Sequence, residues 1–141
     1  MLRKFFKKKN EENTNDKNIL ITALLIHAAK IDDNYTSSEK EIIKKALINL
    51  NTITSYQADE LLIKAEKIEE ESNQIVAFTK EIKKNSMEFR LKIIEILWKI
   101  VYSDGSSDNY ESNLIRRVCG LLYVSDRDSG MIKLKVKNSL R

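Results

Sequence analysis

Two short segments of the sequence concentrate the oxygen-bearing side chains that could do chemistry. Carboxylate, hydroxyl and backbone oxygens together suit a hard cation such as Ca²⁺, which takes about six to eight oxygen ligands. In both segments the distance from the first aspartate to the glutamate is shorter than an EF-hand loop, so neither is an EF-hand. The residues are Asp32, Asp33, Asn34, Thr36 and Glu39 in the first segment, and Asp104, Ser106, Asp108 and Glu111 in the second.

Helix capping explains part of the same pattern. Thr36 and Glu39 have the spacing of a capping box, in which each side chain binds the backbone N–H of the other residue, and the second segment repeats this spacing. Asp32 and Asp104 instead lie where helices should end, and the helix dipole disfavours an anion there by roughly 0.3–1 kcal/mol. A turn hydrogen bond, a basic side chain or a bound cation would compensate. On the residues alone we favour caps and turns, with cation binding as the open alternative.

The two acidic segments belong to a longer internal repeat. Residues 19–47 and 91–119 carry the same apolar pattern and the same acidic loop, offset by 72 positions. A repeated unit with no strand pattern between its copies predicts helices packed on helices. We therefore expect an all-α fold, a seven-helix bundle built from two pseudo-symmetric helical repeats.

The elements that must position these loops follow from apolar residues recurring every three or four positions. The fifth of the seven predicted helices is the most apolar and is expected to be central. The fourth is predicted over residues 73–84, and Asn85 with Glu88 is predicted to cap the fifth. Gly130 weakens the seventh. The helical domain is expected over residues 17–138, after a basic, polar and flexible tail at residues 1–16.

Basic residues are concentrated at the N-terminus. The whole chain has 25 basic and 21 acidic residues, but the first ten residues hold five basic side chains and no acidic one. The remainder is therefore close to neutral, and nothing in it favours nucleic-acid binding. The tail mixes cations with apolar side chains and would make weak contact with an anionic lipid surface, unless it is simply solvated. Its residues are Leu2, Arg3, Lys4, Phe5, Phe6, Lys7, Lys8 and Lys9.

The sequence gives little indication of catalysis, membrane insertion or secretion. His27 and Cys119 are the single histidine and cysteine; we expect a partly buried, hydrogen-bonded histidine and a cysteine in the core. Trp98 is also expected in the core. No Ser-His-Asp, Cys-His or glycine-rich phosphate motif is evident, so enzyme activity is not expected. No apolar run suits a membrane span or a secretory signal. The expected location is therefore cytoplasmic, and membrane-peripheral if the tail binds lipid.

These residues resemble the tellurite-resistance protein TerB family over about residues 17–137. The resemblance rests on the run Ala28–Asp32 followed by Glu39, and on its second copy with Asp104, Gly105 and Glu111. The third predicted helix fits as well, through Ala58, Asp59 and Glu60. A related domain forms the N-terminal part of DjlA-type co-chaperones, but the sequence has no proline and hence no His-Pro-Asp triplet. Co-chaperone activity is therefore not expected to carry over.

The resemblance implies seven helices in two halves and a link to tellurite and chemical stress. It also implies a divalent cation, Ca²⁺ or similar, because the acidic positions of the family are proposed to hold metal. The first loop departs from the family pattern, since Asp33 stands where glycine is usual. We expect a non-enzymatic stress-response binding or adaptor domain with an unidentified protein partner. The alternative is a membrane-proximal interaction module recruited by its tail, without metal. The matching metal positions are Asp32, Asp33, Glu39, Asp104, Asp108 and Glu111.

Overall fold

A computed structural model of the chain describes residues 18–31, 35–51, 53–71, 75–104 and 109–139, with the backbone alone at residues 104 and 109–112. Within these ranges there are seven α-helices and no strand, which confirms the predicted all-α fold. Two 3₁₀ turns, Ile82–Lys84 and Tyr102–Asp104, flank the fifth helix. The helices are α1 over residues 18–30, α2 Ser37–Asn51, α3 Ser55–Glu71, α4 Ile75–Thr79, α5 Met87–Val101, α6 Asn109–Leu122 and α7 Asp126–Ser139.

Helix α5 lies at the centre of the packing, as its apolar composition predicts. It contacts α2, α6 and α7, and apolar side chains on more than one of its faces are buried. Burying such side chains contributes about 1.5–3 kcal/mol each relative to leaving them exposed. This requirement makes α5 the common support of α2, α6 and α7. Its buried residues are Ile93, Ile94, Ile96, Leu97, Trp98, Ile100 and Val101.

Two pairs of equivalent positions are buried in both copies of the repeat. Leu25 and Leu97, which are 72 positions apart, are both fully buried. Ile43 and Ile115, at the same offset, are 0% and 1% exposed. Equal burial is what a duplicated helix pair requires. The superposition of one half on the other by a pseudo-symmetry axis stays a prediction.

Helices α2 and α3 both begin with a capping box. At α2 the Glu39 N–H donates to Thr36 Oγ1 at 3.2 Å, and the Thr36 N–H donates to Glu39 Oε1 at 3.4 Å. This confirms the predicted cap. At α3 the Gln57 N–H donates to Thr54 Oγ1 at 3.2 Å, and the Thr54 N–H donates to Gln57 Oε1 at 2.9 Å. The sequence signal of this second capping box is a threonine followed three positions later by glutamine.

The predictions for the fourth helix and for the cap of α5 are wrong. The α-helix spans only Ile75–Thr79, and a turn and the 3₁₀ segment Ile82–Lys84 replace its second half. The Asn85 amide explains the error in the cap, because it donates to the carbonyl oxygens of Glu81 at 2.8 Å and Ile82 at 3.3 Å. That contact closes the preceding turn. Ser86 therefore caps α5, accepting the Phe89 N–H at 3.2 Å.

The seventh helix runs through Gly130 despite the low helix propensity of glycine. No atom lies within 4 Å of the position that a Cβ would occupy there, so an alanine methyl meets no obstacle. We expect Gly130→Ala to raise the free energy of unfolding by about 0.5–1 kcal/mol, because alanine loses less backbone entropy in a helix. Chemical denaturation followed by circular dichroism measures this change. A destabilised alanine variant would contradict the helical backbone assigned to this position.

Candidate functional site

The first acidic loop joins the end of α1 to the start of α2. Asp32 and Asp33 lie outside the described residues. Glu39 is described, and its side chain is turned back to the start of α2, where the residue is only 4% exposed. Its Oε1 accepts from the Thr36 hydroxyl at 3.2 Å as well as from the Thr36 N–H. The predicted metal ligand Glu39 therefore also serves as the capping carboxylate of α2.

The second acidic loop follows α5. Asp104 ends the 3₁₀ segment Tyr102–Asp104, and Glu111 lies in the first turns of α6; the side chains of both residues, and all of Asp108, lie outside the described part of the chain. The Ser103 hydroxyl donates to the carbonyl oxygen of Ile100 at 2.7 Å. This bond satisfies one of the carbonyl groups left free where a helix ends.

A group of polar side chains connects the first loop to α3, and we call it the α1–α3 polar cluster. Its centre is Glu69, a carboxylate that is 5% exposed. Glu69 Oε1 lies 3.2 Å from Nδ1 of His27, and Glu69 Oε2 accepts from Lys30 Nζ at 2.9 Å. A buried carboxylate is tolerated when such partners replace its lost hydration. The cluster consists of His27, Lys30, Tyr35, Lys40, Glu66 and Glu69.

Glu66 organises the outer part of the cluster, one turn before Glu69 on α3. Its Oε1 accepts the Tyr35 hydroxyl at 2.9 Å and lies 3.4 Å from Lys40 Nζ. Lys40 Nζ also lies 4.8 Å from the centre of the Tyr35 ring, within range of a cation–π contact. These contacts fix Tyr35, the residue that directly follows the undescribed part of the loop.

The cluster shifts two proton equilibria in the same direction. The hydrogen bond to Glu69 raises the pKa of Lys30, although partial burial of the ammonium group opposes this. Burial, together with the hydrogen bond to Glu66, raises the pKa of the Tyr35 phenol well above its ordinary value. Both groups therefore hold their protons more tightly in the folded chain than in the unfolded chain.

Both carboxylates of the cluster are paired with lysines. Among the residues that the structure describes, no group of three or more His, Cys, Asp or Glu side chains is arranged to hold a metal ion. Glu66 and Glu69 face Lys40 and Lys30.

The sequence predicts one member of this cluster, His27, but does not predict its centre, Glu69. His27 was expected to be partly buried with a hydrogen-bonding partner, and its contact with Glu69 confirms this. Glu66 and Glu69 gave no local signal, because α3 contains several glutamates and spacing does not distinguish the buried ones. The partners are 26 to 42 positions apart in sequence.

Cys119 and Trp98 are core residues, as predicted. Cys119 is 2% exposed, and burial raises the pKa of its thiol. Trp98 is 5% exposed, and its indole N–H donates to Ser129 Oγ at 3.2 Å. Lys133 Nζ covers the indole ring at 5.1 Å from its centre. These contacts join α5 to α7.

The N-terminal residues predicted to contact lipid, Leu2 to Lys9, lie outside the described residues. Within the described part of the chain, no helix combines the length and the apolar character needed to cross a bilayer.

Seven packed helices and a polar cluster beside the first loop define an all-helical domain. A family model for tellurite resistance protein TerB matches residues 18–134. The chain therefore belongs to the TerB family, which confirms the resemblance drawn from the two acidic loops. No curated protein and no solved structure matches the chain.

Proposed function

We propose that this TerB domain is a non-enzymatic, stress-linked binding or adaptor module whose acidic loops bind a divalent cation and thereby stiffen a partner-facing surface. The observation that carries the proposal is the duplication of the Asp-to-Glu loop at an offset of 72 positions. In each copy an aspartate follows a helix end, where its charge is unfavourable without a partner. A cation shared by the loop oxygens would supply that partner.

The surroundings of Cys119 and His27 support an interaction role over a catalytic one. The reactive form of a cysteine is its thiolate, whereas Cys119 is buried and its pKa is raised. His27 is directed at Glu69, a carboxylate that also holds Lys30. These two groups are engaged in packing and in a polar contact with Glu69. The ion pairs of Glu66 and Glu69 with lysines would give the first loop a rigid base on α3.

The cation hypothesis predicts that metal stabilises the fold. A ligand that binds only the folded chain at ten times its dissociation constant contributes about 1.4 kcal/mol, which is roughly 4 °C in the melting temperature of a domain of this size. We expect melts in millimolar Ca²⁺ or Mg²⁺ to exceed melts in EDTA by such a margin. Asp32→Asn should reduce the shift if the first loop binds, and Asp104→Asn if the second does.

A matched control for these melts is Asp126→Asn. Asp126 is an exposed aspartate in the first turn of α7, outside both loops. Its substitution should leave the metal-dependent shift unchanged. Coincident melting curves of the unmodified chain in Ca²⁺, Mg²⁺ and EDTA would refute the cation hypothesis.

The second candidate is a membrane-proximal interaction module that needs no metal. The five basic residues within the first ten favour it, since each adds about 1 kcal/mol of attraction near an anionic lipid surface. We expect the full chain to pellet with phosphatidylserine vesicles more than a chain lacking residues 1–10, and less as salt rises. Equal pelleting of the two chains would remove this candidate.

A further inference from the structure

A groove runs between α2 and α5 and is lined by residues of these two helices. It encloses about 390 Å³. Its α2 wall extends from Ile42 to Leu50 and its α5 wall from Lys92 to Lys99, so each wall is about two helical turns, or roughly 12 Å, long. A neighbouring depression of about 500 Å³ shares Lys45 and Lys99 with the groove and continues it.

The floor of the α2–α5 groove is apolar and only partly covered. Ile43 and Leu47 of α2 are fully buried. On the adjacent face of the same helix, Ile42, Ala46 and Leu50 are half-buried. These three residues are spaced by four and form a row along α2. The bundle therefore leaves a row of apolar side chains in contact with water, a feature typical of grooves that receive a helix.

The rim of the groove carries an excess of positive charge. Lys45 of α2 and Lys99 of α5 are exposed on opposite walls, and neither forms an ion pair with a described residue. Lys92 adds a third lysine and pairs with Glu88 at 3.7 Å. The acid that lines the groove, Glu95, lies 3.5 Å from Lys135. Glu41 lines the neighbouring depression. Lysines without an acidic partner among the described residues thus flank the apolar floor on both sides.

We propose that the α2–α5 groove is a docking surface for an acidic amphipathic helix of a partner protein. A ridge of apolar side chains at helical spacing fits the row formed by Ile42, Ala46 and Leu50. Glutamate or aspartate residues on either side of that ridge meet Lys45 and Lys99. The proposal rests on the binding-module part of the proposed function and is independent of its cation.

The test uses the full chain and a fluorescently labelled peptide of about 14 residues, with leucine at i, i+3, i+4 and i+7 and glutamate at the flanking positions. Titrations in EDTA, followed by fluorescence anisotropy, give its dissociation constant. We expect saturable binding that weakens as salt rises. A peptide with the same leucines but lysine in place of each glutamate should bind at least about tenfold more weakly.

The variant that tests the rim is Lys45→Glu with Lys99→Glu. It should raise the dissociation constant of the acidic peptide about tenfold or more, because two attractive contacts become repulsive. The matched control is Lys67→Glu with Lys80→Glu, which reverses two exposed charges that do not line the groove. Circular dichroism establishes that both variants fold. Amide chemical-shift changes in the unmodified chain, centred on Ala46 and Ile96, give an independent readout.

Several outcomes would overturn the docking proposal. They are no binding of the acidic peptide, equal binding of the acidic and basic peptides, and an equal loss of binding in the groove and control variants. A chain that dimerises in sedimentation, and loses the dimer in the groove variant, would assign the groove to a second copy instead. The titrations contain EDTA, so their failure leaves the cation melts untouched, and failure of the melts leaves the groove proposal standing.

Discussion

Replacing Leu97 with alanine should lower the free energy of unfolding by about 3–5 kcal/mol. Leu97 is fully buried on α5, the helix that supports α2, α6 and α7. Truncation removes the transfer free energy of the side chain and leaves a cavity that neighbouring helices fill only in part. Guanidinium denaturation monitored by circular dichroism measures the loss, and an unchanged slope with denaturant establishes that stability alone changed.

Leu25 allows a second, comparable substitution, because it occupies the equivalent position of the first repeat and is also fully buried. We expect Leu25→Ala to cost a similar amount. Leu134→Ala is the control, since Leu134 is 59% exposed on α7 and its truncation should change stability by no more than about 0.5 kcal/mol. If Leu97→Ala behaved like Leu134→Ala, the central position of α5 would be wrong.

The second large effect is expected at the centre of the α1–α3 polar cluster. Glu69→Ala removes the carboxylate that contacts His27 and Lys30. These two half-buried polar side chains then lose their contacts with that carboxylate. We expect a loss of about 2–3 kcal/mol. This is less than for a fully buried pair, because the Lys30 side chain is 30% exposed and water partly screens its charge. Thermal and chemical denaturation both report the change.

The pH dependence of stability distinguishes the ion pair from simple packing. Because the pKa of Lys30 is raised in the folded chain, its contribution is fully present below its ordinary value of 10.5 and is lost as the pH rises through the folded-state pKa. In Glu69→Ala the first cause of that shift is gone, so the variant should lose less stability than the unmodified chain above about pH 10.5. Tyr35, whose pKa is also raised, should still destabilise both chains at high pH.

Glu70→Ala is the matched control for the Glu69 experiments. Glu70 follows Glu69 on α3 but is exposed, so its removal should change stability by no more than about 0.5 kcal/mol. Equal effects of the two substitutions would mean that the α1–α3 polar cluster does not stabilise the fold.

Local patterns were sufficient to predict most of the helical architecture. Thr36 and Glu39 marked the start of α2, and the apolar run from Phe89 to Val101 indicated a helix buried on more than one face. Both predictions depend on interactions between residues three or four positions apart, which a helix places side by side. The same reasoning gave a wrong prediction at Asn85. The pattern predicted that Asn85 caps α5, but its side-chain amide binds the preceding turn.

The sequence by itself determined the all-α class, the family and the duplicated loops, since each depends on composition or on short-range spacing. Only the tertiary structure decided that Glu69 meets His27 and Lys30, and that Lys45 and Lys99 face one another across an apolar groove. Those pairs come from different helices, so their proximity depends on which helix faces pack together. Side-chain periodicity indicates which face of a helix is buried. Which other helix packs against that face depends on how all the helices of the bundle bury their apolar faces together.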